Sequence, residues 1–327
     1  MLDLHAKTGP LVAFYDHSPE EESFRDAALS GLSQPDKALP CRFLYDARGS
    51  ALFDAICDLP EYYPTRTETA ILAERAAEIA RMAGPRAQLI ELGSGSSVKV
   101  RILLDAMAEP SAYIAVDISR EHLKRAAEAL AAEVPQVQVA AICADYSAPF
   151  PLPDMPAAGR RVAFFPGSTI GNLEPEEALT FLRAWARRLG PDAAMLVGVD
   201  LRKDADVLHA AYDDSLGVTA AFTLNILARA NAELGADFDV YRFAHHANYN
   251  VEKGRIEIHL KSLAAQDVHI DRTIFGFKAG ERIHVEHSYK YTVEGFQDLA
   301  RRAGFEPAEV WTDPARLFSV HYLTTPA

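Results

Sequence analysis

The sequence predicts an α/β protein: a doubly wound, mostly parallel sheet carrying a second, smaller α+β unit. Three observations lead there. The first is Leu89-Ile90-Glu91-Leu92-Gly93-Ser94-Gly95-Ser96-Ser97, followed by Tyr113-Ile114-Ala115-Val116-Asp117. An apolar run closed by a glycine turn, then a helical stretch, then an apolar run ending in a carboxylate, is a βαβ unit shaped to hold a nucleoside. The second is strict alternation of strand-like and helix-like segments over about 130 residues, which implies a parallel sheet covered on both faces. The third is a break in that alternation after Asp200, where hairpin-like segments intervene before it resumes near Tyr291.

Taken in order, 67–82 is alanine-rich with helical spacing and stops at Ala83-Gly84-Pro85. Strands are expected at Gln88–Leu92, 113–117, 137–143, 161–166 and 194–199, with helices at 98–108, 121–132 and Pro175–Leu189 between them. The last of these opens on proline, which suits a first helical turn. Beyond Asp200 come a helix at Val218–Leu234 and a hairpin of 240–250 with 255–263 around Glu252-Lys253-Gly254. A helix at 293–303, a strand at 306–311 and an apolar stretch at 317–323 then complete the sheet, one strand of it antiparallel. The expected division is 67–200 with 291–327 as a nucleoside-binding domain. Residues 1–66, lying outside the sheet, join 201–290 as a substrate-binding domain, since ligand sites favour domain junctions.

Composition narrows the function. The 327 residues are 49% hydrophobic with a formal net charge of −13, enough apolar content for a large core and the wrong sign for nucleic acid or anionic membrane. Neither a secretory leader nor a run of roughly 20 apolar residues is present, so a cytoplasmic protein is expected. Cys41, Cys57 and Cys143 lack CxxC spacing and read as reduced thiols. The histidines, including His245-His246, lack ligand spacing, so no metal is expected.

The candidate site begins at the βαβ unit. Gly93 and Gly95 let the backbone approach a ligand, and Asp117 can accept both ribose hydroxyls. Val98 occupies the position where a dinucleotide fingerprint needs glycine or alanine. That favours S-adenosylmethionine, which has no phosphates, over a nicotinamide cofactor. Asp145-Tyr146 follows the third strand, where a carboxylate and an aromatic ring can hold adenine; the same pair read alone is an ordinary loop. Lys99 can reach a methionine carboxylate or stand in solvent. Phe164-Phe165-Pro166-Gly167-Ser168-Thr169-Ile170-Gly171-Asn172-Leu173 runs from a strand into a polar loop, where Asn172 is either a ligand amide or a helix cap. Tyr45, Tyr62, Tyr63 and Tyr212 can both pack and hydrogen-bond. Glu286 and Ser288 share one face of an extended segment, and a carboxylate beside a hydroxyl can grip the two nitrogens of an imidazole or simply face solvent.

Several blocks then resemble one family, the L-histidine Nα-methyltransferases of ergothioneine biosynthesis, and the likeness runs through nearly the whole chain. They are Phe43-Leu44-Tyr45-Asp46 with Gly49-Ser50, Leu59-Pro60-Glu61-Tyr62-Tyr63-Pro64-Thr65-Arg66-Thr67-Glu68, Glu91-Leu92-Gly93-Ser94-Gly95, Gly167-Ser168-Thr169-Ile170-Gly171-Asn172, and Ala211-Tyr212-Asp213-Asp214 with Gly217-Val218-Thr219-Ala220-Ala221-Phe222. The resemblance implies a class I, Rossmann-like methyltransferase fold and three methyl transfers from S-adenosylmethionine to histidine, giving hercynine. It implies Gly93, Lys99, Asp117, Asp145 and Tyr146 around the cofactor. Around histidine it implies Tyr62, Asn172 and Tyr212 at the amino and carboxylate ends, Tyr45 near the reacting amine, and Glu286 with Ser288 on the imidazole. Relatives acting on tryptophan derivatives do not keep that last pair. Ile258 departs from the family's methionine, and Phe43-Leu44-Tyr45 from an aromatic directly before the tyrosine.

Methyl transfer from a sulfonium needs a neutral, aligned amine rather than a protein nucleophile. Tyr45 and Asp46 are the nearest candidates to receive the amine's proton. A small-molecule substrate, no nucleic acid, no membrane and a monomeric enzyme are expected. The alternatives are an Nα-methyltransferase for another amino acid such as a tryptophan derivative, a nicotinamide oxidoreductase, and a non-catalytic nucleoside-binding protein.

Overall fold

The computed structural model describes residues 12–17, 23–94, 98–153, 155 and 159–327. Strand β1 (Val12–Asp16) precedes helices α1 (Phe24–Leu32), α2 (Ala47–Cys57) and α3 (Tyr63–Ala83). The alternating stretch follows as β2 (Gln88–Leu92), α4 (Val98–Ala106), β3 (Ala112–Asp117), α5 (Arg120–Glu133), β4 (Gln138–Cys143), β5 (Arg161–Phe165), α6 (Pro175–Leu189) and β6 (Ala194–Asp200). Next come α7 (Ala205–Tyr212), α8 (Val218–Leu234), β7 (Phe243–Asn250), β8 (Arg255–Ser262), β9 (Gln266–Ile270), β10 (Thr273–Phe277) and β11 (Arg282–Tyr289). Helix α9 (Val293–Arg302) and strands β12 (Glu306–Thr312) and β13 (Phe318–Thr324) close the chain.

Eight strands form one sheet in the order β1-β4-β3-β2-β5-β6-β13-β12. All pairs from β1 to β6 are parallel, and β13 runs antiparallel to both of its neighbours. Every residue of β2 and β6 is buried, as a parallel sheet packed by helices on both faces requires. Ile79, Val100, Leu123 and Leu130 fill one face, and Leu182, Trp185, Phe296 and Leu299 the other. The chain leaves β2 in one direction toward β3 and β4, and in the other toward β5 and β6. The crevice at their carboxyl ends is therefore the topological switch point where such sheets bind ligands.

The N-terminal segment corrects one expectation. Residues 1–66 do not lie wholly outside the sheet, because β1 pairs in register with β4 from Val12↔Val139 to Asp16↔Cys143. Its edge position is tied by an ion pair of Asp16 with Arg120 at the start of α5. The rest of that segment packs as expected against the chain beyond Asp200. Leu32, Leu44 and Ile56 share a core with Leu208, Ile226, Ile258 and Ile283. The expected hairpin is β7 with β8, and β11 extends it to a three-stranded sheet. The separate hairpin β9 with β10, and helices α1, α2 and α7, are additions to the elements read from sequence. Helix α3 starts at Tyr63 instead of 67, because Pro64 serves its first turn.

The two sheets meet at one seam. Tyr291 donates its N–H to the Asp200 carbonyl at 3.0 Å, and Arg202 donates to the Tyr291 carbonyl at 2.9 Å. The end of β11 is thereby fastened to the end of β6, which brings the face of the small sheet to the crevice of the large one.

Candidate active site

The nucleoside side is built from strand ends. Gly93 leaves β2 with φ +75°, a left-handed turn that glycine adopts without cost. A Cβ there would stand 3.8 Å from the Tyr146 ring, so the ring lies over the turn. Tyr146 is braced edge-on by Phe165 at 5.6 Å and Phe181 at 6.2 Å, and its carbonyl accepts from the Trp185 indole at 3.1 Å. Asp117 closes β3 with Oδ1 accepting the Ser119 N–H at 2.7 Å, and burial raises its carboxyl above the ordinary value. Asp145 is folded into a local turn, Oδ1 accepting the Ser147 N–H at 2.8 Å and its hydroxyl at 2.5 Å. Gly93, Asp117, Asp145 and Tyr146 thus stand at the carboxyl ends of the neighbouring strands β2, β3 and β4. Gly95, Ser96 and Ser97 lie outside the described residues.

Lys99, expected to meet a methionine carboxylate, has a partner within the protein. Its Nζ donates to Glu68 Oε2 at 2.5 Å, and the Gly167 N–H reaches the same oxygen at 2.8 Å. Glu68 is fully buried, and a buried carboxylate needs a cation and donors to remain charged. The sequence reading did not single out Glu68, which looks like one more polar residue on an alanine-rich helix.

The substrate side is carried by the small sheet. A β-bulge between His284 and Glu286 turns Val285, Glu286 and Ser288 inward while His284 and His287 stack on the other face at 5.6 Å. Ile258 lies directly across from Glu286 on β8 and is buried. Asn172 is not the cap of α6. Glu174 and Glu177 form that cap, and Asn172 Nδ2 instead donates to Glu286 Oε1 at 3.3 Å. Its turn is pressed onto β11 so closely that a Cβ at Gly171 would stand 2.7 Å from the Tyr289 carbonyl oxygen. Burial pushes the Glu286 carboxyl up to about 7, with Lys290 and Asn172 pulling the other way.

A chain of aromatic rings runs from Tyr45 to Tyr212, whose hydroxyl lies 3.1 Å from that of Ser288. Tyr45 meets Phe53 and Phe222 edge-on at 5.6 and 5.3 Å, Phe53 meets Tyr62 at 6.2 Å, and Tyr62 meets Tyr212 at 6.0 Å. Burial and the Glu286 charge hold the Tyr45 phenol well above its ordinary value, so it stays a neutral hydroxyl. Asp46, the other candidate for the proton, is spent on structure: its Oδ1 caps α2 through the Gly49 N–H at 2.6 Å and accepts from Asn225 at 2.8 Å.

Behind Tyr212 and Ser288 stands a buried network that the sequence reading missed. Lys290 Nζ lies 2.7 Å from each of Asp200 Oδ2, Tyr212 Oη and Ser288 Oγ. Asp200 also accepts from the Tyr63 hydroxyl at 2.8 Å and from Lys203 at 2.5 Å. The two ammonium groups hold the Asp200 carboxyl below its ordinary value despite full burial. Among the described residues no three His, Cys, Asp or Glu side chains are arranged to hold a metal ion, and no helix is long and apolar enough to cross a membrane.

Comparison with known proteins shows the family. Residues 24–325 match the family described as histidine-specific methyltransferase, SAM-dependent. The chain is 44% identical over 305 residues to the histidine N-alpha-methyltransferase of Mycolicibacterium smegmatis, covering 91% of this chain and 94% of that one. It is 42% identical over 305 residues to the protein of the same name from Mycobacterium tuberculosis, with the same coverage. Ergothioneine biosynthesis protein 1 of Neurospora crassa is 33% identical over 289 residues, spanning 84% of this chain and 32% of the longer fungal protein.

Proposed function

We propose that this chain, which belongs to the histidine-specific, S-adenosylmethionine-dependent methyltransferase family, methylates the α-amino nitrogen of L-histidine three times to give hercynine. The observation that carries the reading is the inward face of β11, where Glu286 and Ser288 stand side by side at the end of a tyrosine-lined approach. An ionised carboxylate accepts the N–H of a neutral imidazole, and a hydroxyl donates to its other nitrogen. An indole has one ring nitrogen and would leave Ser288 unpaired, which disfavours a tryptophan derivative.

When bound, S-adenosylmethionine supplies a methyl group on a cationic sulfonium. Gly93, Asp117, Asp145 and Tyr146 would hold its nucleoside, and Lys99 with Glu68 borders the glycine turn. The residues of the small sheet hold the amino acid, with Asn172, Tyr62 and Tyr212 toward its carboxylate and amine. Tyr45 offers a hydroxyl lone pair to orient the amine. Rigid placement of the nitrogen in line with the sulfonium supplies the acceleration, and the amine's proton leaves to water. The rings of Tyr45, Phe53 and Tyr62 suit an amine that gains permanent positive charge as methyl groups accumulate.

The large sheet is assigned the cofactor, through 67–200 and 291–327. The segment after Asp16, with 201–290, is assigned the amino acid. The free thiols of Cys41 and Cys57 favour a reducing compartment such as the cytoplasm. The test is mass spectrometry after incubation with isotopically labelled S-adenosylmethionine and a panel of amino acids. Histidine should gain three labelled methyl groups in preference to tryptophan. No label on histidine, or faster labelling of tryptophan, overturns the reading.

A further inference from the structure

We infer that Lys290 is a positioning residue whose buried ammonium turns the Tyr212 and Ser288 hydroxyls together into outward-facing hydrogen-bond donors. The inference rests on the histidine reading above and adds how the two ends of that substrate are read as one unit.

Extended backbone puts Glu286, Ser288 and Lys290 on one face at two-residue intervals. The Lys290 side chain is fully buried, as is that of Asp200. An ammonium has three hydrogens and no acceptor. Three acceptors stand 2.7 Å from it: the Asp200 carboxylate, the Tyr212 hydroxyl and the Ser288 hydroxyl. No hydrogen is left for a ligand, so Lys290 acts through the two hydroxyls.

Each of those oxygens has accepted a charge-assisted bond, which is stronger than a neutral one. Its own proton must then point away from Lys290. The two hydroxyls lie 3.1 Å apart, so without a ligand one can donate to the other. A ligand offering an acceptor to each draws both protons outward. Tyr212 then donates to a carboxylate and Ser288 to the unprotonated nitrogen of the ring, which leaves Glu286 to accept the ring N–H. One buried cation thus selects an acceptor at the carboxylate end and a single imidazole tautomer at the other. Asp200 anchors the cation to the end of β6, and Tyr63 and Lys203 hold Asp200 in turn. The polarity of the substrate pocket is therefore set from the cofactor-binding sheet.

The test is a thermodynamic cycle. Lys290→Met and Lys290→Gln are made in the full-length wild type and in a Tyr212→Phe/Ser288→Ala background. Histidine kcat and KM are measured, with S-adenosylmethionine affinity by calorimetry. In the wild-type background Lys290→Met should lower kcat/KM about 30-fold, chiefly through KM, with cofactor affinity within about twofold. Lys290→Gln, which keeps two donors, should lose less. In the double-mutant background the same substitutions should cost about threefold or less. An equal loss in both backgrounds overturns the inference, because a purely structural lysine adds its cost regardless of the hydroxyls. If neither Lys290 variant folds, the cycle of Tyr212→Phe with Ser288→Ala decides. Because both hydroxyls accept from the one ammonium and lie 3.1 Å apart, their losses should be coupled, and strictly additive losses overturn the inference. A wild type that does not methylate histidine overturns the functional reading itself, and this inference with it.

Discussion

The candidate cofactor site and the candidate amino-acid site are built on opposite plans. At the candidate cofactor site three groups sit at or just after the end of a parallel strand: Gly93 after β2, Asp117 closing β3 and Asp145 after β4. Each is held locally, by the N–H of Ser119 for Asp117 and of Ser147 for Asp145. At the candidate amino-acid site Glu286 and Ser288 project from the face of an antiparallel strand, and the groups are held by residues far away in sequence, Asn172 to Glu286 and Asp200 to Lys290. A crevice of independent contacts should lose affinity one contact at a time. A pocket wired through shared partners should lose it as a unit, and substitutions can test that contrast.

The largest effect is expected at Glu286. Glu286→Ala removes the proposed acceptor for the ring and leaves the Asn172 amide without its partner. The loss of a buried charged hydrogen bond should lower kcat/KM for histidine by about 2–3 kcal/mol, roughly 30- to 100-fold. Affinity for S-adenosylmethionine should stay unchanged in calorimetry. A variant that turns over histidine as well as wild type would remove the physical basis for imidazole recognition.

On the other side, Asp117→Ala should weaken S-adenosylmethionine binding by about 2 kcal/mol through loss of two hydrogen bonds to an ionised acceptor. Combined with Glu286→Ala its cost should add, since the two carboxylates share no partner. Strong non-additivity in the pair would break the distinction between the two regions.

How far each region could be read from sequence follows from the same contrast. Strands β2 to β6 were legible because a strand buried on both faces is a continuous apolar run, and each site residue falls where such a run ends. Strand β1 was not, since its five residues have no helix leading to their partner β4, 127 positions away. Glu286 and Ser288 were legible as a pair two residues apart. The bulge that turns Glu286 inward was not, nor was Lys290, whose meaning lies in Asp200 ninety positions earlier. Glu68 was hidden for the same reason, as its partners are Lys99 and Gly167.

Glu68 is also where the two plans meet, and it carries the third prediction. It lies on α3, leaves the amino-acid site untouched and braces Lys99 and the Gly167 turn together. Glu68→Gln keeps the shape and removes the charge, so Lys99 loses its ion pair while Gly167 can keep an acceptor. S-adenosylmethionine affinity should change by about 1–1.5 kcal/mol, and histidine KM at saturating cofactor should hold steady. A change confined to histidine KM would place Glu68 with the pocket instead of the crevice.

The smallest effect is a pH dependence that isolates Glu286. Its carboxyl titrates at about 7 because burial disfavours the charge, and only the carboxylate form accepts the ring N–H. The sign follows: the active form is lost as pH falls through about 7 and is complete about one unit above it. Histidine's own amine and ring also titrate, and both favour higher pH, so the raw profile mixes three groups. Comparing wild type with Glu286→Gln on the same substrate cancels the substrate's contribution. The ratio of their kcat/KM values should rise about fourfold between pH 6.5 and 8 and then level off, as expected for one group titrating near 7 in the free enzyme. A flat ratio over that range would mean that Glu286 is already ionised at pH 6.5 or does not act as the acceptor. Cofactor affinity measured over the same range separates these outcomes from any titration of the buried Asp117 carboxyl, which belongs to the crevice and should leave the ratio unmoved.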